Sequence, residues 1–316
     1  MREKEFKKLL DREKHIADVK QYFSNQLSTL TDMVNYGTWL IPRAYDSSNK
    51  ELEDVIVIGV LFKQVVRMTD AVEVLTSNGA VPPAFLQARA AFEASLYIDW
   101  ILKEEANRKA RYYYVSNLRN DRLWALRILE GMPEQQEFTA DTQDLASHIN
   151  FKSPEIQQMA KKQLLEIDRI LKQTSFNFIN NEFEKFRDKS NREAFWYQFF
   201  LKPASLKRIA KDVGRPGEYV FIYERGSKAT HIASYKDHVK FSKGGVITFE
   251  PIRNLSEIEN LLRFTIGIVL HTYRAIITKY RQGELQKFGL KYKNDWRQSF
   301  LNIPSVKYKS PKGNSL

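Results

Sequence analysis

Apolar positions recur every three or four residues along most of the chain, and the elements this period predicts are helices. Phe6, Leu9, Leu10, Ile16, Val19, Phe23, Leu27, Leu30 and Val34 keep it over 3–36, so one long helix is expected there. A polar stretch at 42–50, with Asp46, Ser47, Ser48 and Asn49, predicts a loop. A second helix runs over 51–75 with VIVIGVLFKQVV as its buried part, and Ser77, Asn78 and Gly79 close it. The next stretch, 81–102, is apolar around nearly its whole circumference. Pro82 and Pro83 preset its first turn. A helix without a polar face is packed on several sides, so this one is expected at the centre.

Further on, 104–130 reads as a helix of mixed face, 133–153 as a polar surface loop, and 154–172 as a long helix that resumes to 189. The aromatic segment NREAFWYQFFL, 191–201, is expected to plug the core. A short helix over 203–213 is stopped by Gly214 and Pro216. The best strand pattern is at 244–250, and a last long helix covers 255–281 with Asn254 or Ser256 as its cap. No repeat or linker interrupts the pattern. The expected fold is all-α, a multi-helix bundle of long helices with at most one short strand or hairpin near 244–250. It forms one domain over 1–301, with its core at about 50–281 and the helix 3–36 packed on it. The basic stretch 302–316 reads as a disordered tail.

Composition narrows the chemistry. The chain has no cysteine, which excludes disulfides, thiolate metal sites and cysteine nucleophiles. Its longest apolar runs, 55–62 and 264–270, fall far short of the ~20 residues that span a bilayer, and the charged first twenty residues lack the apolar run of a signal peptide. A cytoplasmic protein without a membrane partner is therefore expected. The net charge of +12 is concentrated in the C-terminal half: 14 Lys and Arg stand against 6 Asp and Glu over 185–243, and 8 against 2 over 281–316. Such a surface favours a polyanionic partner, RNA or another nucleic acid. Lys207, Arg208, Lys211, Lys228 and Lys236 are its candidate contacts. Phe195, Trp196, Tyr197, Tyr219, Phe221, Tyr223 and Tyr235 lie among the basic residues, where they either stack bases or fill the core. The glycine-rich phosphate loops and the serine-hydrolase motif are missing, and no cofactor is expected.

Two polar stripes remain. On the central helix Arg89 and Glu93 face one another at i, i+4, with Leu96, Tyr97 and Trp100 continuing the stripe. They are either a buried structural pair or a pair kept for chemistry. In EYVFIYERGSKATHIASYKDHV, Tyr223, Ser227 and His231 recur at i, i+4, i+8, one row if the segment is helical; the start, YVFIYE, reads equally well as a strand. A histidine with hydroxyl neighbours is acid–base material near neutral pH. His231, Asp237 and His238 lack any metal-ligand spacing, so no metal site is predicted. His271 is expected in the core, and His15 and His148 on the surface.

The order Arg89-Ala-Ala-Phe-Glu93, then Tyr223-x-x-x-Ser227-x-x-x-His231, resembles a bacterial helical family of unknown function with that pair of signatures, over about 50–280. More broadly, Arg225-Gly-Ser-Lys-Ala-Thr-His231 resembles the Arg-to-His spacing of HEPN ribonuclease-like domains. That resemblance implies a metal-independent RNA-cleaving effector of a bacterial defence or toxin system, acting as a dimer with a composite cleft. It implies Arg225 on a phosphate, His231 moving a proton and Glu93 as an orienting acid. Gly226 departs from the pattern, since a polar residue is commoner directly after the arginine. The alternative reading is a non-catalytic helical module that binds nucleic acid or protein, with both stripes as internal scaffold.

Overall fold

Helix after helix follows the predicted apolar periods. A computed structural model describes residues 10–143, 150–224, 226, 238–241, 247–249, 252–253 and 255–305. The fold is all-α, as the pattern predicts, and the chain divides into two compact units. One takes Met1–Lys103 with Ile209–Leu316, the other Glu104–Arg208.

The first unit holds α1 (Arg12–Asp46), a π-helical turn (Glu53–Ile58), α2 (Gly59–Ser77) and α3 (Val81–Lys103). α3 is the central helix: Ala84, Ala88, Ala91, Phe92, Leu96, Ile98 and Ile101 are all buried. α1 does not stop at the expected loop. It carries Pro42 within it and ends at Asp46, because Leu40 and Ala44 still fall on its buried stripe. Gly37 keeps it close to its neighbours: a Cβ there would lie on the Tyr273 hydroxyl and 2.7 Å from Val66 Cγ2. The turn between α2 and α3 has Gly79 at φ +70°, and a Cβ there would approach His15 to 2.9 Å. His15 is accordingly buried, 6% exposed, against the surface position expected for it. It shares a face of α1 with Val19 and Phe23, four and eight residues on.

α8 (Leu206–Asp212) holds the boundary between the units, and α9 (Pro216–Glu218) runs into a π-helix, Tyr219–Glu224. The YVFIYE segment is therefore helical and not a strand. β1 (Val239–Phe241) pairs antiparallel with β2 (Ile247–Phe249) in the register Val239↔Phe249 and Phe241↔Ile247, a small hairpin at the place where one was expected. α10 (Ile258–Tyr280) is long and apolar enough by composition to cross a membrane. In this fold it is a core helix, with Leu261, Leu262, Ile266, Ile268, Val269 and Tyr273 buried. His271 points away from that core and is 46% exposed, the reverse of its expected place. α11 (Leu285–Lys291), a π-turn (Tyr292–Trp296) and α12 (Arg297–Leu301) follow. Trp296, fully buried, donates to Asp32 on α1 at 2.7 Å. Gln26 donates to the Asn302 carbonyl and Ile303 is buried, so the packed chain reaches past 301. The rest of the expected tail, from 306, lies outside the described residues.

The second unit is built from α4 (Ala106–Ile128), α5 (Pro133–Asp141), α6 (Pro154–Leu171) and α7 (Thr174–Ser190), with a 3₁₀ turn at Trp196–Phe199. α5 replaces part of the loop expected over 133–153. It buries no residue, which is why no apolar stripe announced it. Tyr112, Phe183, Phe199 and Phe200 pack ring against ring at its core. Arg119, buried, donates to Asn180, Glu184 and Glu193. Trp196 and Tyr197 are buried as the aromatic plug required, while Phe195 is exposed and stacks on Tyr197 at 5.5 Å.

Candidate functional site

α3 sets up the first half of the site through its period. Arg89, Glu93 and Tyr97 stand one turn apart on one stripe, where the alanines and leucines of the rest of the helix give way to polar groups. Arg89 and Glu93 are half-buried, so the fully buried pair is not what forms. Each meets an aromatic side chain. Tyr97 donates its hydroxyl to Glu93 Oε1 at 3.1 Å. The Arg89 guanidinium lies over the ring of Tyr223, 4.3 Å from its centroid. A stacked cation of this kind contributes about 0.5–2 kcal/mol, more as water is excluded.

The second half comes from the π-helix. Its wider turn sets Tyr219 and Tyr223 nearly parallel, ring centroids 5.1 Å apart and planes 18° apart. Burial raises the pKa of Tyr219, Glu224 and Tyr223 raise it further, and Arg89 opposes them. Gly226 follows on the same segment with its backbone against the stem of Arg89. A Cβ there would come within 3.1 Å of Arg89 Cδ and 3.2 Å of its Cβ. The departure from the Arg-to-His pattern thus has a steric side: any side chain at this position would press on the stem of Arg89. Of the site residues expected from the sequence, Arg89, Glu93 and Tyr223 lie in one neighbourhood, and Tyr97 is a donor to Glu93. Arg225, Ser227 and His231 lie outside the described residues, as do Lys228 and Lys236. Lys207, Arg208 and Lys211 are exposed on α8. Among the described residues no group of three or more His, Asp or Glu could hold a metal ion.

Arg215 is the residue sequence reasoning passed over. Gly214, at φ +75°, turns the chain out of α8, and Pro216 starts α9 directly after the arginine. The guanidinium, 4% exposed, donates to Ser95 Oγ at 2.8 Å and Asp99 Oδ2 at 2.6 Å, and forks onto both Glu218 oxygens at 2.9 and 2.7 Å. Burial opposes the charge on Arg215, but Glu218 and Asp99 outweigh it and hold its pKa above the ordinary value. The link ties α3 to α9, and α9 leads into the π-helix that carries Tyr223. A signal for it was present. Ser95 and Asp99 are polar residues at i, i+4 in an apolar helix, and a carboxylate in such a setting requires a cation.

The comparison with known families decides what this constellation belongs to. A model for a family of unknown function (DUF5677) matches residues 55–245. The chain belongs to that family. The match begins in the π-turn ahead of α2, takes in Arg89, Glu93, Arg215 and Tyr223, and leaves α1 and α10 outside. It ends short of the 280 that the motif resemblance suggested. No curated protein and no solved structure matches the chain.

Proposed function

We propose that this member of the family cleaves RNA without a metal ion, at a site formed by α3 and the segment that begins at Tyr223. The observation that carries the reading is the Arg89–Tyr223 stack, which joins the Arg-x-x-x-Glu helix to the first residue of the Tyr-x-x-x-Ser-x-x-x-His segment. Cleavage without a metal needs one group to take the proton of the ribose 2′-hydroxyl and one to stabilise the phosphorane charge. The 2′-oxygen–phosphorus bond forms, the phosphorus–5′-oxygen bond breaks, and the 5′-oxygen leaves with a proton. In this reading His231 moves the protons, Arg225 holds the phosphate, and Glu93, Ser227 and Tyr223 orient them. Exposed Lys207, Arg208 and Lys211 favour an RNA partner. The same reading makes the protein a cytoplasmic homodimer and an effector of a defence or toxin system.

The test is incubation of purified protein with total RNA, with and without chelator. Cleavage that persists in chelator, leaves 2′,3′-cyclic phosphate ends, and is lost in His231→Ala and Arg225→Ala supports the reading. Intact RNA, or cleavage that chelator abolishes, overturns it. A scaffold role has its own support, because Arg89 and Glu93 are already engaged by tyrosines. In that case the protein retains RNA without cutting it, and His231→Ala changes nothing.

A further inference from the structure

A second cluster of titratable groups lies at the C-terminal end of α3, apart from Arg89 and Tyr223. An open cleft there is lined by Asp99, Lys103, Asp212, His271, Arg274 and Lys279, with apolar residues between them. Its long wall is one stripe of α10, where His271, Arg274, Ala275, Thr278 and Lys279 follow the i, i+3, i+4, i+7, i+8 rule. The opposite wall is Leu102 and Lys103 of α3, with Asp212 and Val213 at the end of α8.

Every charge in the cleft is held differently. Asp99, 10% exposed, takes Arg215 from behind and His271 Nε2 from the front, at 2.6 and 2.9 Å on the same oxygen. The carboxylate is thus neutralised from the buried side and fixes the imidazole from the other. With Nε2–H donated to Asp99, the ring's second nitrogen, Nδ1, is left for whatever enters the cleft. Asp212 accepts from Trp100 Nε1 at 2.9 Å and from Lys103 Nζ at 3.0 Å, while its carbonyl holds the same ammonium at 2.8 Å. That leaves Arg274 and Lys279, both exposed, and among the described residues neither forms an ion pair. Two uncommitted cations and an oriented imidazole on one helix face, with a tethered ammonium across from them, are an anion-recognition set. The planar guanidinium adds a two-pronged donor that matches two oxygens of one phosphate.

We infer that this cleft binds a phosphate monoester, with Arg274 and Lys279 on its oxygens and His271 Nδ1 accepting from the P–OH of the singly protonated group. Either a free nucleotide or the terminal phosphate of an RNA supplies that group. The site is independent of the cleavage proposed at Tyr223, since none of its residues is shared with it.

The experiment is calorimetric titration of the full chain with inorganic phosphate, a nucleoside 5′-monophosphate, and a short RNA carrying either a 5′-phosphate or a 5′-hydroxyl. The RNA bears 2′-O-methyl groups, so cleavage cannot interfere. Arg274→Ala/Lys279→Ala is expected to weaken phosphate-bearing ligands at least tenfold, and His271→Gln to weaken them severalfold. Lys161→Ala/Lys162→Ala, which removes two exposed lysines from α6, should leave them unchanged. Circular dichroism checks that each variant is folded; the residues of the double variant are exposed and their loss leaves no cavity. Monophosphate binding identifies the free nucleotide as a source, and preference for 5′-phosphorylated over 5′-hydroxyl RNA identifies the RNA end. No binding by any phosphate-bearing ligand, or equal loss in the α6 control, overturns the site.

Discussion

Removing Arg215 should loosen the first unit more than any other single truncation of a charged residue in it. Arg215→Ala deletes four hydrogen bonds at once, to Ser95, Asp99 and the two oxygens of Glu218. These losses are not equal. Glu218 is 34% exposed and can turn to water, so its share is small. Ser95 keeps the Thr272 hydroxyl at 2.7 Å. The cost falls on Asp99, which among the described residues retains His271 alone, on its solvent side, and is shut off from water on the other. Breaking a buried pair by removing one partner costs about 3–5 kcal/mol. Loss of the guanidinium over Phe92, 5.0 Å from the ring centroid, adds to it. A unit of roughly 200 residues shifts by about 2–4 °C per kcal/mol, so a fall on the order of 10 °C in melting temperature is expected. Arg215→Lys should recover less than half of that, because one ammonium cannot fork onto Glu218 while serving Ser95 and Asp99. Arg215→Met combined with Asp99→Asn removes both charges and should be at least ~1.5 kcal/mol more stable than the sum of the single variants predicts. The assays are thermal unfolding for the melting temperatures and denaturant unfolding for the coupling energy, both followed by circular dichroism. If Arg215→Ala melts within about 2 °C of the wild type, or the double variant shows no coupling, the buried anchor is not what holds α9 to α3.

Gly37→Ala gains about 1 kcal/mol of helix propensity, yet its Cβ lands on the Tyr273 hydroxyl and 2.7 Å from Val66 Cγ2, both packed in the core. A net loss of about 1–3 kcal/mol is expected in thermal unfolding, and a stabilised variant would refute the close approach of α1 and α10. Alkaline pH should destabilise the protein through its buried phenols. Burial, then the neighbouring Glu182, pushes Tyr112 up to about 12, and burial raises Tyr273 and Tyr280 further. Unfolded phenols ionise near pH 10, so above that pH the unfolded chain binds fewer protons than the folded one and stability falls as pH rises, for Tyr112 across pH 10–12. Below pH 10 the effect is absent. Phenolate absorbance should therefore lag behind the exposed tyrosines and rise with unfolding; a simple titration near 10 for all of them contradicts the burial.

The helices were legible because a helix is a local object. The 3.6-residue period of α1, α2, α3 and α10 is written in windows of a dozen residues, and α3 was recognisable as the centre from its all-round apolar surface alone. Arg89 and Glu93 stood out for the same reason, as charges within that surface. What the local pattern lacks is the identity of the neighbour. A period gives a helix its stripe but does not say how wide the buried side is, so His15 and His271 were each expected on the wrong side. α5 escaped notice because it has no buried stripe to read. The stretch from Pro42 read as a loop, yet packing of Leu40 and Ala44 carries α1 through the proline. Above all, the need of Asp99 for a cation is visible on α3, whereas its supplier, Arg215, comes from 116 residues further along. Only the tertiary structure could decide that pairing. Opposite charges find each other by distance in space, and distance along the chain carries no record of it.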